Sequence, residues 1–206
     1  MYTRQRKQIS RKAVVIAIAT ALLLVTYGCG FGPPRPPERS FTLDDLLIDS
    51  DIVPSDWKLD EPMFPAGDDL CTTECAAIRF SVTDELRSMW GGTHSVYRYL
   101  SQNIAQRTFK VKCLAHARIL DQVKEWTYQS LVAEQSYFGC HNMAGNAGVA
   151  CDWAAQYEEY IVVFGIAMSP GEVSLTNIEQ IEYIVRAIDE QMSLYLKLST
   201  PTPSGK

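Results

Sequence analysis

Residues that commonly carry enzymatic chemistry are scarce in this chain of 206 residues. Histidine occurs three times, at His94, His116 and His141, and we expect each to be a surface or capping residue. The sequence contains no G-x-S-x-G, H-E-x-x-H, G-x-x-x-x-G-K-[ST] or G-x-G-x-x-G motif. It therefore gives no sign of a serine nucleophile, a zinc-protease site or a nucleotide-phosphate loop. We expect a protein that is not an enzyme, with no catalytic residues, no metal and no cofactor.

Basic residues are also fewer than acidic ones. The chain has 19 Lys and Arg against 24 Asp and Glu, a net charge of −5, which argues against nucleic acid as a partner. Hydrophobic residues make up 47% of the chain and charged residues 21%. Those values are typical of an ordinary globular protein and exclude a wholly disordered chain.

The first thirty residues have the organisation of an export signal. Met1–Lys12 contains five basic residues and no acidic one, and Ala13–Val25 is an aliphatic and small-residue run interrupted only by Thr20. As a helix this run would be about 20 Å long, shorter than the hydrocarbon core of about 30 Å. A basic segment followed by a short apolar segment is typical of a secretory signal.

Cys29 makes the signal more specific. It follows the apolar run directly after Gly28, an arrangement that resembles the lipobox of bacterial lipoproteins. In that family the cysteine thiol receives a diacylglycerol, and the leader is cleaved just before the cysteine. The resemblance implies a signal peptide over residues 1–28, lipidation at Cys29 and a location on the extracytoplasmic face of a bacterial membrane.

An uncleaved anchor is one alternative, because Thr26 stands where the family prefers leucine and the uncharged stretch Ala13–Gly32 is 20 residues long. Simple secretion without a lipid is the other. All three interpretations export the rest of the chain, since the positively charged end stays inside. Cleavage before Cys29 would remove five basic residues and leave 14 Lys and Arg against 24 Asp and Glu. The exported part is then clearly anionic, which favours solubility.

Composition divides the exported part into three sections. Residues 29–40 include FGPPRPPERS, whose four prolines favour an extended polyproline II spacer. Residues 41–199 have the composition of a single folded domain, and residues 200–206, TPTPSGK, are typical of a flexible tail. We interpret the spacer as a tether that connects a lipid anchor to the domain.

Periodicity within the domain predicts an α+β fold. We expect a mainly antiparallel sheet of about five strands, stapled by disulfides, with helices packed on one face. A short helix after Phe41 should end before Pro54, and Gly91–Gly92 should break the chain. The remaining elements are strands over Ala77–Val82, Ser95–Leu100, Val132–Cys140, Val149–Ala155 and Tyr160–Met168, and helices over Gln102–Leu120 and from about Thr176 onward.

Five cysteines remain once Cys29 is set aside. Cys140 and Cys151 flank a loop rich in glycine and asparagine, and a hairpin that turns at Gly145–Asn146 places them directly opposite each other. The same register pairs Phe138 with Trp153. Because one register satisfies both pairs, we predict a Cys140–Cys151 disulfide.

The other three cysteines leave their pairing open. Cys71 and Cys75 could bond to each other, or one of them could bond to Cys113 on the buried side of its helix. A zinc site built from these three cysteines and His116 is a weaker alternative. Thiolate zinc sites are uncommon in oxidising compartments, and the spacing matches no known zinc motif.

The order of these pieces also bears a looser resemblance to a known class of domain. The pieces are the Pro54-x-x-Trp57 entry, the strand ending in Tyr97-Arg98-Tyr99, the hairpin with its two cysteines and Trp153, and the final helix with Ala187-Ile188-Asp189. This layout resembles the extracytoplasmic sensor-type domains of some bacterial kinases and lipoproteins. The resemblance implies a non-enzymatic binding or sensor domain with a possible small ligand. The alternative is a structural or assembly lipoprotein that binds another envelope protein.

Overall fold

A six-stranded antiparallel sheet forms the centre of the computed structural model, which describes residues 36–55, 57–84, 87–123, 126–169 and 175–197. The signal segment, Cys29 and the tail at 200–206 lie outside the described residues. The spatial order of the strands is β1-β2-β3-β6-β5-β4. The strands are β1 (Trp57–Leu59), β2 (Glu74–Asp84), β3 (Arg87–Arg98), β4 (Gln135–Asn142), β5 (Val149–Tyr157) and β6 (Tyr160–Met168). The antiparallel α+β prediction is confirmed, with six strands instead of about five.

The helices are α1 (Gln102–Thr108), α2 (Leu114–Ala117) and α3 (Leu175–Leu196). One turn of π-helix, Phe109–Cys113, joins α1 to α2, so residues 102–117 form one continuous helical segment. The predicted helix after Phe41 is reduced to a single 3-10 turn over Asp44–Leu46. It ends there because the backbone N–H of Ile48 donates to the ring of His94, at 3.1 Å.

Helices cover both faces of the sheet, so the expectation that they pack on one face was wrong. Val162 and Phe164 of β6 pack in the cluster that contains α3, together with Trp153. Ile161, which points the other way, packs against α1 and the π turn. The reason is that β6 is apolar at nearly every position, and a strand of that kind must be buried on both sides.

The β4–β5 hairpin has the register predicted from the sequence. Cys140 lies opposite Cys151, and Phe138 lies opposite Trp153. The backbone N–H and C=O of Cys140 bond to Asp121 outside the hairpin, so the two cysteines form a non-hydrogen-bonded pair. Their Cα atoms are 4.0 Å apart, and their sulfurs form a disulfide.

Gly91 and Gly92 lie inside β3 and do not break the chain. Gly92 pairs with Phe80, whose ring stacks between Trp57 and Phe164 at centroid distances of 4.6 and 5.3 Å. A Cβ atom on Gly92 would collide with the Phe80 ring and with the backbone carbonyl of Gly165. The glycine is therefore needed for close packing within the strand.

Candidate functional site

The first candidate site lies on the face of the sheet covered by residues 102–117. Ala105, Phe109 and Cys113 form the buried side of this helical segment. They pack on Tyr97 of β3 and on Tyr99, which follows the strand. Phe109 and Cys113 both point inward because they lie four residues apart on one side of the helical segment, and the π turn runs between them. The helix covers the sheet only in part, since Val163 and Tyr137 remain half-buried beside it.

A loop from β1 to β2 closes one side of this face. The hydroxyl of Tyr99 donates to the carbonyl of Leu70 at 2.8 Å, and the hydroxyl of Tyr97 donates to Asp68. Lys112 forms an ion pair with Asp69, with Nζ and Oδ2 3.0 Å apart. These contacts hold the loop against the sheet and against the helical segment at the same time.

A cleft of about 380 Å³ remains between the loop, the helical segment and the sheet. Its lining is mostly apolar, and two polar pairs stand at the rim. One is the Lys112–Asp69 pair, and the other joins His116 Nε2 to Asp152 Oδ2 at 3.1 Å. The cleft is lined by Asp69, Leu70, Val111, Lys112, Cys113, Ala115, His116, Tyr137, Asp152 and Val163. An apolar cleft with a few polar groups at its rim is the usual form of a small-molecule site.

The cysteines next to the cleft are bonded in one of the ways left open by the sequence. Cys71 and Cys75 form a local disulfide, and Cys113 carries a free, buried thiol. Burial raises the pKa of this thiol to about 12, so it is protonated at neutral pH. A protonated buried thiol is a poor nucleophile. The zinc alternative fails because two of its four ligands are joined in a disulfide.

The three histidines differ in environment. His94 is fully buried, which corrects the expectation of a surface position, and burial lowers its pKa to about 3. His116 is partly exposed at the cleft rim, and His141 lies in β4 with its ring centre 6.3 Å from that of His116. Within the described ranges, no group of three or more His, Cys, Asp or Glu side chains is placed to hold a metal ion.

No family model, curated protein or solved structure matches this chain. Among the described residues, no helix has the length and apolar character needed to cross a membrane.

A second groove, of about 460 Å³, runs between α3 and the segment Trp126–Glu134. Leu131 and Leu194 flank it and are 64% and 74% exposed. The guanidinium of Arg186 lies over the ring of Tyr128, 4.2 Å from its centre. Large exposed aliphatic side chains beside a groove are more typical of a protein contact than of a small-molecule pocket.

Asp189 is buried at the base of this groove. It accepts hydrogen bonds from the hydroxyls of Tyr157, Tyr128 and Ser130, the last at 2.7 Å. Burial and the nearby carboxylate raise the pKa of Tyr157, so the tyrosine stays a donor. One signal could have revealed this role, because Asp189 lies four residues after Val185 on the apolar side of the helix.

A buried ion network holds the start of the domain to the turn between β5 and β6. Arg39 donates to both carboxylate oxygens of Glu159, at 3.0 and 2.9 Å, and also pairs with Glu158. The Glu159 side chain is only 3% exposed. The hydrogen bonds that Arg39 donates to Glu159 raise the pKa of Arg39 above its ordinary value. Sequence reasoning missed this network, because residue 39 and residue 159 are far apart in the chain.

Proposed function

We propose that this protein is a lipid-tethered domain on the extracytoplasmic face of a bacterial membrane, where it binds a small, partly apolar ligand in the cleft beside α1 and α2. The cleft is the observation that carries the proposal. Its volume of about 380 Å³ falls within the range of small-ligand sites, and its floor is apolar. The ligand would be oriented by the His116–Asp152 and Lys112–Asp69 pairs at the rim.

Two kinds of feature support the tether and the location. The sequence places a lipobox-like cysteine, Cys29, after a basic segment and an apolar run, and a proline-rich spacer follows. Four of the domain's five cysteines are paired in disulfides, and disulfides persist mainly in oxidising compartments. An exported domain on a semi-rigid spacer agrees with both observations.

The chemistry of the cleft favours binding over catalysis. A Cys–His–Asp arrangement would need the thiol of Cys113 to donate to His116, and no such hydrogen bond is present between these two described residues. The thiol is buried and protonated, as its raised pKa indicates. The imidazole of His116 already uses Nε2 to contact Asp152.

Blocking the cleft tests the proposal. The Ala115→Trp variant places a large side chain at an exposed position in the lining, and Ala144→Trp makes the same change in the exposed turn between β4 and β5. We expect the fluorescent probe anilinonaphthalene sulfonate to bind the unmodified chain and the Ala144→Trp variant alike. Binding to the Ala115→Trp variant should be weaker by about tenfold or more, a loss of about 1.4 kcal/mol.

Native mass spectrometry of the protein extracted from bacterial membranes complements this titration. A bound small molecule should be carried by the unmodified chain and lost in the Ala115→Trp variant. Equal probe binding in all three proteins would contradict the cleft as a binding site.

The groove between α3 and Trp126–Glu134 favours a second function, that of an assembly lipoprotein. The exposed Leu131 and Leu194 are the observation behind it. Photo-cross-linking from a Leu194→p-benzoylphenylalanine variant in living cells should then capture an envelope protein. If the cross-linker captures no protein, the second function loses its support.

A further inference from the structure

Basic side chains are concentrated on the helical segment, in a domain that is otherwise acidic. From Arg87 to Leu120 the sequence contains no Asp or Glu, while residues 102–120 contain four of the 14 Lys and Arg that follow Cys29. These four are Arg107, Lys110, Lys112 and Arg118. The remainder of the exported chain carries all 24 acidic residues. The helical segment therefore gives a positively charged side to a domain that is otherwise negatively charged.

Aliphatic side chains lie exposed among these basic residues. Val111 is 63% exposed and Ile119 is 71% exposed, and Ile104 is also exposed near the start of α1. The opposite side of the same segment, with Phe109 and Cys113, is fully packed against the sheet. We name the outward side of this segment, together with the turn that follows α2, the basic–aliphatic face; its members are Ile104, Arg107, Lys110, Val111, Arg118 and Ile119.

The basic residues of this face are available for an external partner. Lys112, outside the face, is already paired with Asp69. Arg107, Lys110 and Arg118 are exposed, and none of them has an ion-pair partner within the described part of the chain. Unpaired cations alternating with exposed aliphatic residues on a helix are typical of a surface that rests on anionic lipid.

The tether reaches the domain at the end of β3 from which the chain continues into α1, on the side of the sheet where Arg98 lies over the Tyr160 ring. Arg98 donates to the carbonyl of Pro37, and Tyr99 donates its backbone N–H to the carbonyl of Glu159 at 2.9 Å. Ser101, two residues after Tyr99, caps α1 and accepts from the N–H of Ile104. The first described residues of the spacer therefore contact Arg98, which lies shortly before the start of α1 in the chain.

The spacer is too short to hold this end of the domain far from the membrane. Six residues lie between Cys29 and Pro36, so the backbone covers seven residue steps. At about 3.1 Å per residue they reach roughly 22 Å even when fully extended as polyproline II. A lipid on Cys29 therefore keeps the start of α1 within a short distance of the headgroups.

We propose that the basic–aliphatic face docks on the anionic lipid surface of the membrane that holds the tether. Arg107, Lys110 and Arg118 would contact lipid phosphates, and Val111 and Ile119 would enter the headgroup region. This inference rests on the tethering part of the proposed function. Val111 also lines the ligand cleft, so docking places the cleft mouth at the membrane surface.

Photo-cross-linking on the full chain in bacterial membranes tests the docking. p-Benzoylphenylalanine is placed at Val111 in one variant and at Tyr183, which is 59% exposed on α3, in a matched control. We expect intact mass spectrometry to find a phospholipid adduct on the Val111 variant and none on the Tyr183 variant. The same spectrum reports whether Cys29 carries a diacylglyceryl group.

Charge reversal supplies the second arm, carried out with the purified protein reconstituted in phosphatidylglycerol vesicles. Each basic side chain near an anionic surface strengthens binding about fivefold. We expect Arg107→Glu/Lys110→Glu/Arg118→Glu to lower the adduct at position 111 by at least about tenfold. The control Lys58→Glu/Arg79→Glu/Lys197→Glu makes the same change in net charge at exposed positions elsewhere and should leave the adduct unchanged.

Three results would overturn the docking proposal. The first is a protein adduct, or no adduct, at position 111 of a chain that carries the diacylglyceryl group; the tether would then stand and the docking would fail. The second is an equal loss of the adduct in both charge variants, because net charge alone would explain it. The third is a chain without the diacylglyceryl group, which would remove the tether as well.

Discussion

His94 makes the stability of this fold depend on pH. Its ring is fully buried in β3, where it pairs with Ile78 of β2 and Phe164 of β6. The Nδ1 atom accepts the backbone N–H of Ile48 at 3.1 Å, so the proton of the neutral ring lies on Nε2. Nε2 has no hydrogen-bond partner among the described residues. Burial lowers the pKa to about 3, because a charged ring would lose its hydration.

The expected magnitude follows from the difference between the two pKa values. In the unfolded chain His94 has an ordinary pKa near 6.5, so below that pH the unfolded state binds a proton that the folded state does not. Stability from the neutral ring is therefore present above pH 6.5 and is lost as the pH falls. At pH 5 the loss is about 2 kcal/mol, at 1.36 kcal/mol for each pH unit. Since folded domains are stable by only about 5–15 kcal/mol, this loss is large enough to measure.

Urea unfolding at pH 7 and pH 5 tests this prediction, with His94→Asn as the matched variant. The asparagine amide oxygen can replace Nδ1 as the acceptor for Ile48, and the variant has no group at position 94 that titrates in this range. Carboxylates contribute equally to both proteins, so the difference between them isolates the histidine. We expect the unmodified chain to lose about 2 kcal/mol more than the variant between pH 7 and pH 5. A difference below about 0.5 kcal/mol would refute the reasoning.

Three further predictions concern stability. Replacing Cys140 and Cys151 together by alanine should lower the free energy of unfolding by about 3 kcal/mol, as expected for a bridge that closes a loop of 11 residues. An unchanged urea midpoint under oxidising conditions would contradict this prediction. Asp189→Ala removes the acceptor of three hydroxyl groups and should cost about 2–4 kcal/mol, with faster proteolysis within residues 126–134 as a second measure. Arg39→Met leaves the buried Glu159 without its main partner and should lower the free energy of unfolding by about 3 kcal/mol. Thermal unfolding that shows no such loss would indicate a pair formed only on the surface.

Local patterns were sufficient for much of the sheet. The run Tyr160–Met168 was predicted with the bounds that β6 has in the structure. The register of the β4–β5 hairpin was also predictable, because two cysteines and two aromatic residues fix the same pairing. In both places one short stretch of sequence contains all the information that the element needs.

Elements that depend on distant partners were predicted less well. Gly91 and Gly92 have the local character of a chain break, but the Phe80 ring on the neighbouring strand makes glycine a packing requirement at position 92. The helix after Phe41 ends early because the backbone N–H of Ile48 donates to the ring of His94, which is distant in the chain. The strand β1 was missed because its alternation of apolar and polar residues extends over only three positions.

The candidate site shows the same division. Cys113 and the buried side of its helix followed from the spacing of apolar residues. The cleft itself did not, because its lining comes from separate parts of the chain, including Leu70, His116, Tyr137 and Asp152. Pairs such as His116 with Asp152 are set by the strand register and the π turn together, and neither can be derived from the local sequence.

The central claim, a lipid-tethered and exported domain, is tested most directly by the intact mass of the protein from membranes of an expressing bacterium, measured before and after reduction. We predict a mature chain that begins at Cys29 and carries a diacylglyceryl group. Reduction should add four hydrogens, two for each of the two disulfides, with Cys113 already a thiol. A full-length, unmodified chain would contradict the lipid anchor, and a mass that does not change on reduction would contradict export to an oxidising compartment.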